Sequence, residues 1–445
     1  MAFAGFANLE RVTTSRGLGA LSQAIIGQNF DRAATDALLR RFIEQYPQAR
    51  DWFNLSATAQ GGPLATESLV FLAGRGEGVF RLLITNPGGR RAVLESADLR
   101  AQADLLRAVF SSESYGELME SLDDAPASMQ HFFDVLKDCY GEADGGAQWP
   151  AMPEFAIQRR EHASLVINHG PTRIVTDPVQ LEGGWMSDDG AAPRSCSELA
   201  STILLSHTHD DHYSLSSMIG WATDASVVVA PRVPRPSLLA SDVAAEISAA
   251  GLTCKYPAWG GQIVDNDVTI DVLPFYGEQP TRNVVRPFPE ARNWGNCYRI
   301  NTPTYSLLLL FDSGVDPEGN VIDVVAKSIA AKGPIDIVMS CCLRFPEAAN
   351  SGLPDYLFMV PFEQLPTLAR ERKSMTLGPE GIAEVCIAAK AKYFMPYAQG
   401  YVRPGEIHGE EIKHCAEIAE LLQAVGAATK VKLWNFGDNL TVADL

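Results

Sequence analysis

Along the first third of the chain the spacing of apolar residues switches between the helical and the extended period. Leu38, Leu39, Phe42, Ile43 and Tyr46 recur at intervals of three and four behind Asp31, which predicts a helix with Asp31 as its cap. Ser68 to Ala73 and Gly78 to Thr85 are β-rich runs around the turn Gly74 to Gly78. The turn Asn86-Pro87-Gly88-Gly89 then leads to Arg91-Ala92-Val93-Leu94, so a small antiparallel meander is expected. Helical spacing returns at Asp98 to Phe110 and at Ser128 to Tyr140, where His131 beside Phe132 and Phe133 reads as a packing residue. Gly141 to Gly146, with Pro150 and Pro153 beyond, is the best linker candidate.

Beyond the linker the pattern becomes regular α/β alternation. His162 to Ile167, the turn Asn168 to Pro171 and Arg173 to Thr176 predict a hairpin that ends at Asp177-Pro178. Proline keeps the preceding aspartate out of helical geometry, which places its carboxylate at the mouth of the sheet. Further strands are expected at Ser226–Ala230, Val268–Leu273, Gly295–Ile300, Tyr305–Phe311, Ile335–Ser340, Tyr393–Met395 and Val431–Phe436. Helices are expected at Ser214–Thr223, Leu238–Ala250, Val321–Ala331, Gly381–Lys390 and Glu410–Ala424. The Pro-containing stretch Leu343 to Thr376 exceeds ordinary loop lengths and is a candidate lid or substrate-shaping segment.

One run stands out chemically. The apolar residues Ile203, Leu204 and Leu205 deliver Ser206-His207-Thr208-His209-Asp210-Asp211-His212, which holds three of the eight histidines. A strand followed by a sharp loop brings His207, His209, Asp211 and His212 to one strand end, where imidazole nitrogens and a carboxylate can close on metal. Ordinary hydrogen-bonded histidines suit a single residue and fit four clustered ligand types poorly. Asp312, directly after an apolar strand, places another carboxylate at a strand end. Asp177 and His162 are expected behind the ligands, because metal-bound imidazoles usually give their second N–H to an acceptor.

Composition narrows the classes. A chain of 445 residues with 46% hydrophobic and 20% charged residues is globular and long enough for two domains. A net charge of −18 excludes nucleic-acid phosphate and anionic membrane as natural partners. No run approaches the roughly 18 to 20 apolar residues of a membrane span, and Met1 to Val12 lacks a signal-peptide layout, so a cytoplasmic protein is expected. Eight cysteines without C-x-x-C spacing read as reduced thiols; Cys341-Cys342 suits a buried strand.

These ordered motifs, from about 155 to 445, resemble the metallo-β-lactamase superfamily. The resemblance implies an α/β protein: an αββα metallo-β-lactamase-like sandwich over 154–445, with residues 1–145 as an N-terminal α+β domain for dimerisation or partner docking. It implies a dinuclear site with His207 and His209 on one metal, Asp211 and His212 on the other, and Asp312 bridging. Two departures matter. Glu278 stands where the hydrolytic members carry a third histidine. Ala398, in Pro396-Tyr397-Ala398-Gln399-Gly400, stands where a late histidine is expected. His408 could fill that role, or Tyr397 or Gln399 could stand near the metal.

An oxygen-richer ligand set suits iron. The glutamate exchange resembles di-iron oxygenases of natural-product biosynthesis, of the chloramphenicol-pathway β-hydroxylase type. That likeness implies two Fe ions, O2 as co-substrate, Glu278 and Asp312 as catalytic ligands, an external electron donor, a small-molecule or carrier-protein-bound amino acid substrate, and a possible homodimer. The run Arg282 to Arg292 could meet a carboxylate or phosphopantetheine, or be a solvated loop. The competing readings are a di-zinc hydrolase of lactone, phosphodiester or amide bonds with a metal-activated water, and a degenerate scaffold that only binds a partner.

Overall fold

The computed structural model describes residues 3, 5–11, 16–71, 79–122, 129–140, 151–179, 199–278, 288–345, 356–368, 374–399 and 405–441. The expected linker at 141–150 and the turn at 74–78 lie outside these residues.

Two seven-stranded sheets form the centre of the molecule. In spatial order the first holds Asn439–Thr441, Phe155–Arg159, Leu165–His169, Thr172–Thr176, Ala200–Leu204, Ala222–Val229 and Thr253–Lys255. The second holds Gln262–Asp265, Val268–Pro274, Asn296–Asn301, Ser306–Leu309, Ile337–Ser340, Tyr393–Pro396 and Lys430–Val431. Both sheets follow one plan, with three antiparallel pairings followed by three parallel ones.

The strands are apolar on both faces because both faces are covered. Leu165, Ile167, Ile174, Leu204 and Val229 point into the core between the sheets. Their neighbours Val166, Val175, Ile203, Leu205 and Val228 enter a second core under helices Leu215–Trp221 and Val243–Ala249. Helices Val321–Lys332, Gly378–Ala389 and Gly409–Ala424 contribute Val325, Ile382 and Ile418 to the first core, which covers the second sheet. The layering is helix, sheet, sheet, helix.

The N-terminal region is α+β but is built differently from the sequence pattern. Its sheet is antiparallel and pairs Phe6–Arg11 with Phe80–Thr85 and Arg91–Ser96. The first strand comes from Phe6–Arg11, while Glu67–Val70, which overlaps the start of the expected Ser68 to Ala73 strand, is a helical turn. Asp31 does cap Arg32–Gln45, accepting from Ala34 N at 2.8 Å. Phe80, Leu82, Leu106 and Leu136 share the second core with Ile203 and Trp221, so residues on both sides of position 145 are buried together. Helices Arg16–Gly27 and Arg32–Gln45 lie in a third core with Leu357, Phe358, Leu365 and Met375. Backbone bonds from Ala65 N to Phe358 O (2.7 Å) and from Phe362 N to Gly62 O (2.7 Å) tie part of the long 343–376 stretch to this lobe.

Among the described residues no helix is long and apolar enough to cross a membrane. The described cysteines carry no disulfide, and Cys341 and Cys342 are fully buried after strand Ile337–Ser340.

Candidate metal centre

The loop after strand Ala200–Leu204 folds on itself through His212 N and Tyr213 N, both bonded to His209 O, before Ser214 caps helix Leu215–Trp221. This turn and two neighbouring strand ends bring imidazoles and carboxylates together in three groups: His207–His209–Glu278, His207–His212–Asp312 and His162–Asp211–His212. Within each group the donor atoms lie within 4.8 Å of one another.

In the first group His207 Nε2 is 3.0 Å from His209 Nδ1 and 3.2 Å from Glu278 Oε2, and His209 Nδ1 is 3.1 Å from the same oxygen. In the others His212 Nε2 is 2.9 Å from Asp312 Oδ2 and 3.3 Å from His162 Nε2, which is 3.3 Å from Asp211 Oδ2. His207 and His212 have no solvent exposure, and Glu278, Asp312 and His162 are buried; Asp211 is partly exposed.

Polar partners behind the rings fix their orientation. Asp177 Oδ1 accepts from Ser206 N at 2.7 Å, and Oδ2 lies 2.5 Å from Ser206 Oγ and 2.7 Å from His212 Nδ1. Ser206 Oγ is also 2.9 Å from His207 Nδ1. One carboxylate–hydroxyl pair therefore leaves Nε2 of both His207 and His212 turned to the centre.

The backbone is strained there. Of the nine non-glycine residues with positive φ among the described residues, His162, Asp177, Glu278, Phe311 and Ala398 lie in or beside this cluster. Strain concentrated at one place is the signature of a site whose geometry matters more than its local energy.

The charges are coupled. Burial lowers the His207 pKa, assisted by His212 and His209. Burial opposes charging of His212 and His209 too, but Asp312 and Asp211 for the former and Glu278 for the latter prevail and raise both. Glu278 and Asp211 are held ionised against burial, Glu278 chiefly by His209 and His207, Asp211 chiefly by His212 and His162. Ring nitrogens facing one another at 3.0 and 3.3 Å, with carboxylate oxygens between, make a donor set suited to two cations.

Two positions differ from expectation. His162, expected behind the ligands, turns Nε2 into the cluster. Ala398 N donates to His162 O at 3.1 Å, so the late segment that lacks a histidine supports His162 instead. His408 is absent from all three groups and instead occupies the N-cap of helix Gly409–Ala424. Tyr397 is buried against the Phe311 ring, with centroids 5.5 Å apart, and Gln399 bonds Cys342 Sγ. Arg292, the last residue of the expected cationic run, is buried on Asp316 at 2.9 Å; Arg282 lies outside the described residues. Ser206 and Asn293 escaped sequence reading: Ser206 is adjacent to His207, but nothing local marks Asn293.

No protein-family model matches the chain, and no curated protein matches its sequence. Among solved structures, CmlA, a diiron beta-hydroxylase from Streptomyces venezuelae, is similar over 98% of both chains, with a TM-score of 0.59 and 14% identity. A CmlA beta-hydroxylase mutant matches over 82% of this chain and 69% of its own, with a TM-score of 0.57 and 17% identity. The chain shares the fold of these β-hydroxylase structures, and its helix–sheet–sheet–helix layering is the sandwich that the sequence resemblance implies. An isothiocyanate hydrolase from Delia radicum gut bacteria is similar over 64% of this chain and 98% of its own, at a TM-score of 0.40 and 14% identity. A metallo-β-lactamase fold does not by itself choose the reaction; the side chains at the strand ends do.

Proposed function

We propose that this chain is a non-haem di-iron oxygenase that hydroxylates an organic substrate at the expense of O2. The observation that carries the reading is the Glu278 carboxylate, 3.2 Å from His207 Nε2 and 3.1 Å from His209 Nδ1. His207, His209 and Glu278 would hold one iron, and His162, Asp211 and His212 the other. Asp312, grouped with His207 and His212, would reach both. With Glu278 in place of a histidine, three of the seven donors are carboxylates, and a more oxygen-rich set suits iron. The likeness to a diiron beta-hydroxylase along 98% of both chains supports the same reading.

Two ferrous ions would supply redox chemistry: RH, O2, two electrons from an external donor and two protons give ROH and water. The protein's own part is geometric. Asp177 and Ser206 hold the imidazoles of His212 and His207 in the tautomer that presents Nε2. Phe275, stacked on His207 with centroids 5.1 Å apart, and Phe311 close the inner side against water. The substrate class proposed with this reading is a small molecule or a carrier-bound amino acid, and the proposed assembly is a homodimer.

Elemental analysis of purified protein should find close to two irons per chain. The reduced protein should consume O2 with a reductant and substrate present. The intact His207 to His212 loop equally suits a di-zinc hydrolase; two tightly held zincs with reductant-independent ester or amide turnover would establish that alternative and overturn the oxygenase.

A further inference from the structure

Glu278 owes its position to an unusual stretch of chain. It follows Gly277, and both have positive φ, +97° and +47°. A Cβ at position 277 would come within 2.6 Å of Gly314 N and 2.8 Å of Met375 O, so the strand end is pressed against two other segments. The Gly277 N–H donates to Asp316 Oδ2 at 3.1 Å, and Arg292 Nη2 donates to the same oxygen at 2.9 Å and to Phe275 O at 3.2 Å. Arg292 lies among the rings of Trp259, Tyr276 and Trp294, at 5.6, 5.5 and 5.1 Å from their centroids.

The residue after that anchored arginine is Asn293, fully buried, with Nδ2 3.2 Å from Glu278 Oε2 and 3.2 Å from His209 Nε2. Thus one side chain touches two members of the same three-residue group, at the Glu278 oxygen that also faces His207 and at the His209 nitrogen that does not. Charge-assisted N–H···O bonds to a carboxylate are stronger than neutral ones and fix which lone pair remains for another partner.

We propose that Asn293 is a positioning residue for the His207–His209–Glu278 metal position: its amide N–H donates to the Glu278 carboxylate and holds that oxygen on the shared centre. This rests on the reading that two metals bind here. It predicts that Asn293 acts on one position and leaves the His162–Asp211–His212 position alone.

The test uses the full chain stripped of metal and titrated with Co(II), whose visible absorption reports ligand geometry, against a competing chelator. Asn293→Ala removes the amide; Asn293→Leu removes it while keeping a branched side chain that fills the space. Both variants should weaken one of two Co(II) sites roughly tenfold to hundredfold and change its absorption band, with the other site unchanged. Circular dichroism melting of the metal-free variants checks that they fold. If Leu restores wild-type affinity and spectrum where Ala does not, the residue only fills space and the proposal fails. Wild-type behaviour in both variants overturns it equally. A wild-type chain that binds no Co(II) at the first position overturns the dinuclear reading, and this inference with it.

Discussion

Asp177 Oδ2 lies 2.7 Å from His212 Nδ1, and no solvent reaches either side chain. The contact joins the mouth of the first hairpin to the last residue of the histidine loop. It decides which nitrogen of His212 is left for the centre. Asp177→Asn removes the charge and can present an N–H to the ring, which would reverse the tautomer. Metal affinity should fall roughly tenfold to hundredfold, the range for losing a partner behind a ligand. Equilibrium dialysis against a chelator measures it, and unchanged affinity would remove Asp177 from the centre's support.

Metal uptake should release protons and weaken as pH falls. Burial disfavours the His212 cation, but Asp312, Asp211 and Asp177 together hold its pKa well above the ordinary histidine value. A raised pKa means that the metal-free ring carries its proton at neutral pH, so each ion bound there must expel one. The sign is fixed: affinity increases with pH until that proton is gone, and falls below it. Calorimetry in two buffers of different ionisation enthalpy should show proton release at pH 7, with identical heats in both buffers as the contrary result.

The support of the second position extends to a buried ion pair. Arg159 Nη1 and Nη2 each meet a Glu411 carboxylate oxygen at 2.7 Å with both side chains fully buried, and Arg159 lies 4.2 Å above the centroid of Phe436. Arg159 ends the strand that leads into the His162 turn. Removing one partner leaves an uncompensated buried charge, which typically costs about 3–5 kcal/mol. Glu411→Gln should therefore lower the urea midpoint markedly with an unchanged m-value. A loss of less than about 1 kcal/mol would show that the surrounding structure satisfies Arg159 without its partner.

Much of the centre was legible in sequence because its donors follow signals that are local. His207, His209, Asp211 and His212 share one loop, and Glu278 and Asp312 each follow an apolar strand. Its place in the first hairpin puts His162 behind the ligands, whereas the turn of its Nε2 toward His212 and Asp211 goes with a backbone brace from Ala398, far away in sequence. Asn293 depends on a neighbour's burial in an aromatic enclosure, which no spacing rule describes. Fold errors have the same origin. Ser68 to Ala73 has extended-chain composition, yet Leu69 and Val70 are claimed by the helical lobe's core. The strand expected across Val431 to Phe436 pairs only through Val431; farther on, Trp434 Nε1 donates to Pro396 O at 2.7 Å.

His162 supplies the sharpest remaining test of the two-metal arrangement. Its Nε2 is 3.3 Å from both His212 Nε2 and Asp211 Oδ2, whereas the first group is complete without it. Its backbone carbonyl, not its ring, accepts from Ala398 N, so truncating the side chain keeps that brace. His162→Ala should reduce bound metal from about two ions to about one per chain while the fold survives. Activity that needs both metals should be lost with the second ion, and added metal should not restore it at concentrations that saturate the wild type. Retention of two ions would mean that Asp211 and His212 hold the second position with water alone, and His162 would then belong behind the ligands, as its place in the sequence first suggests.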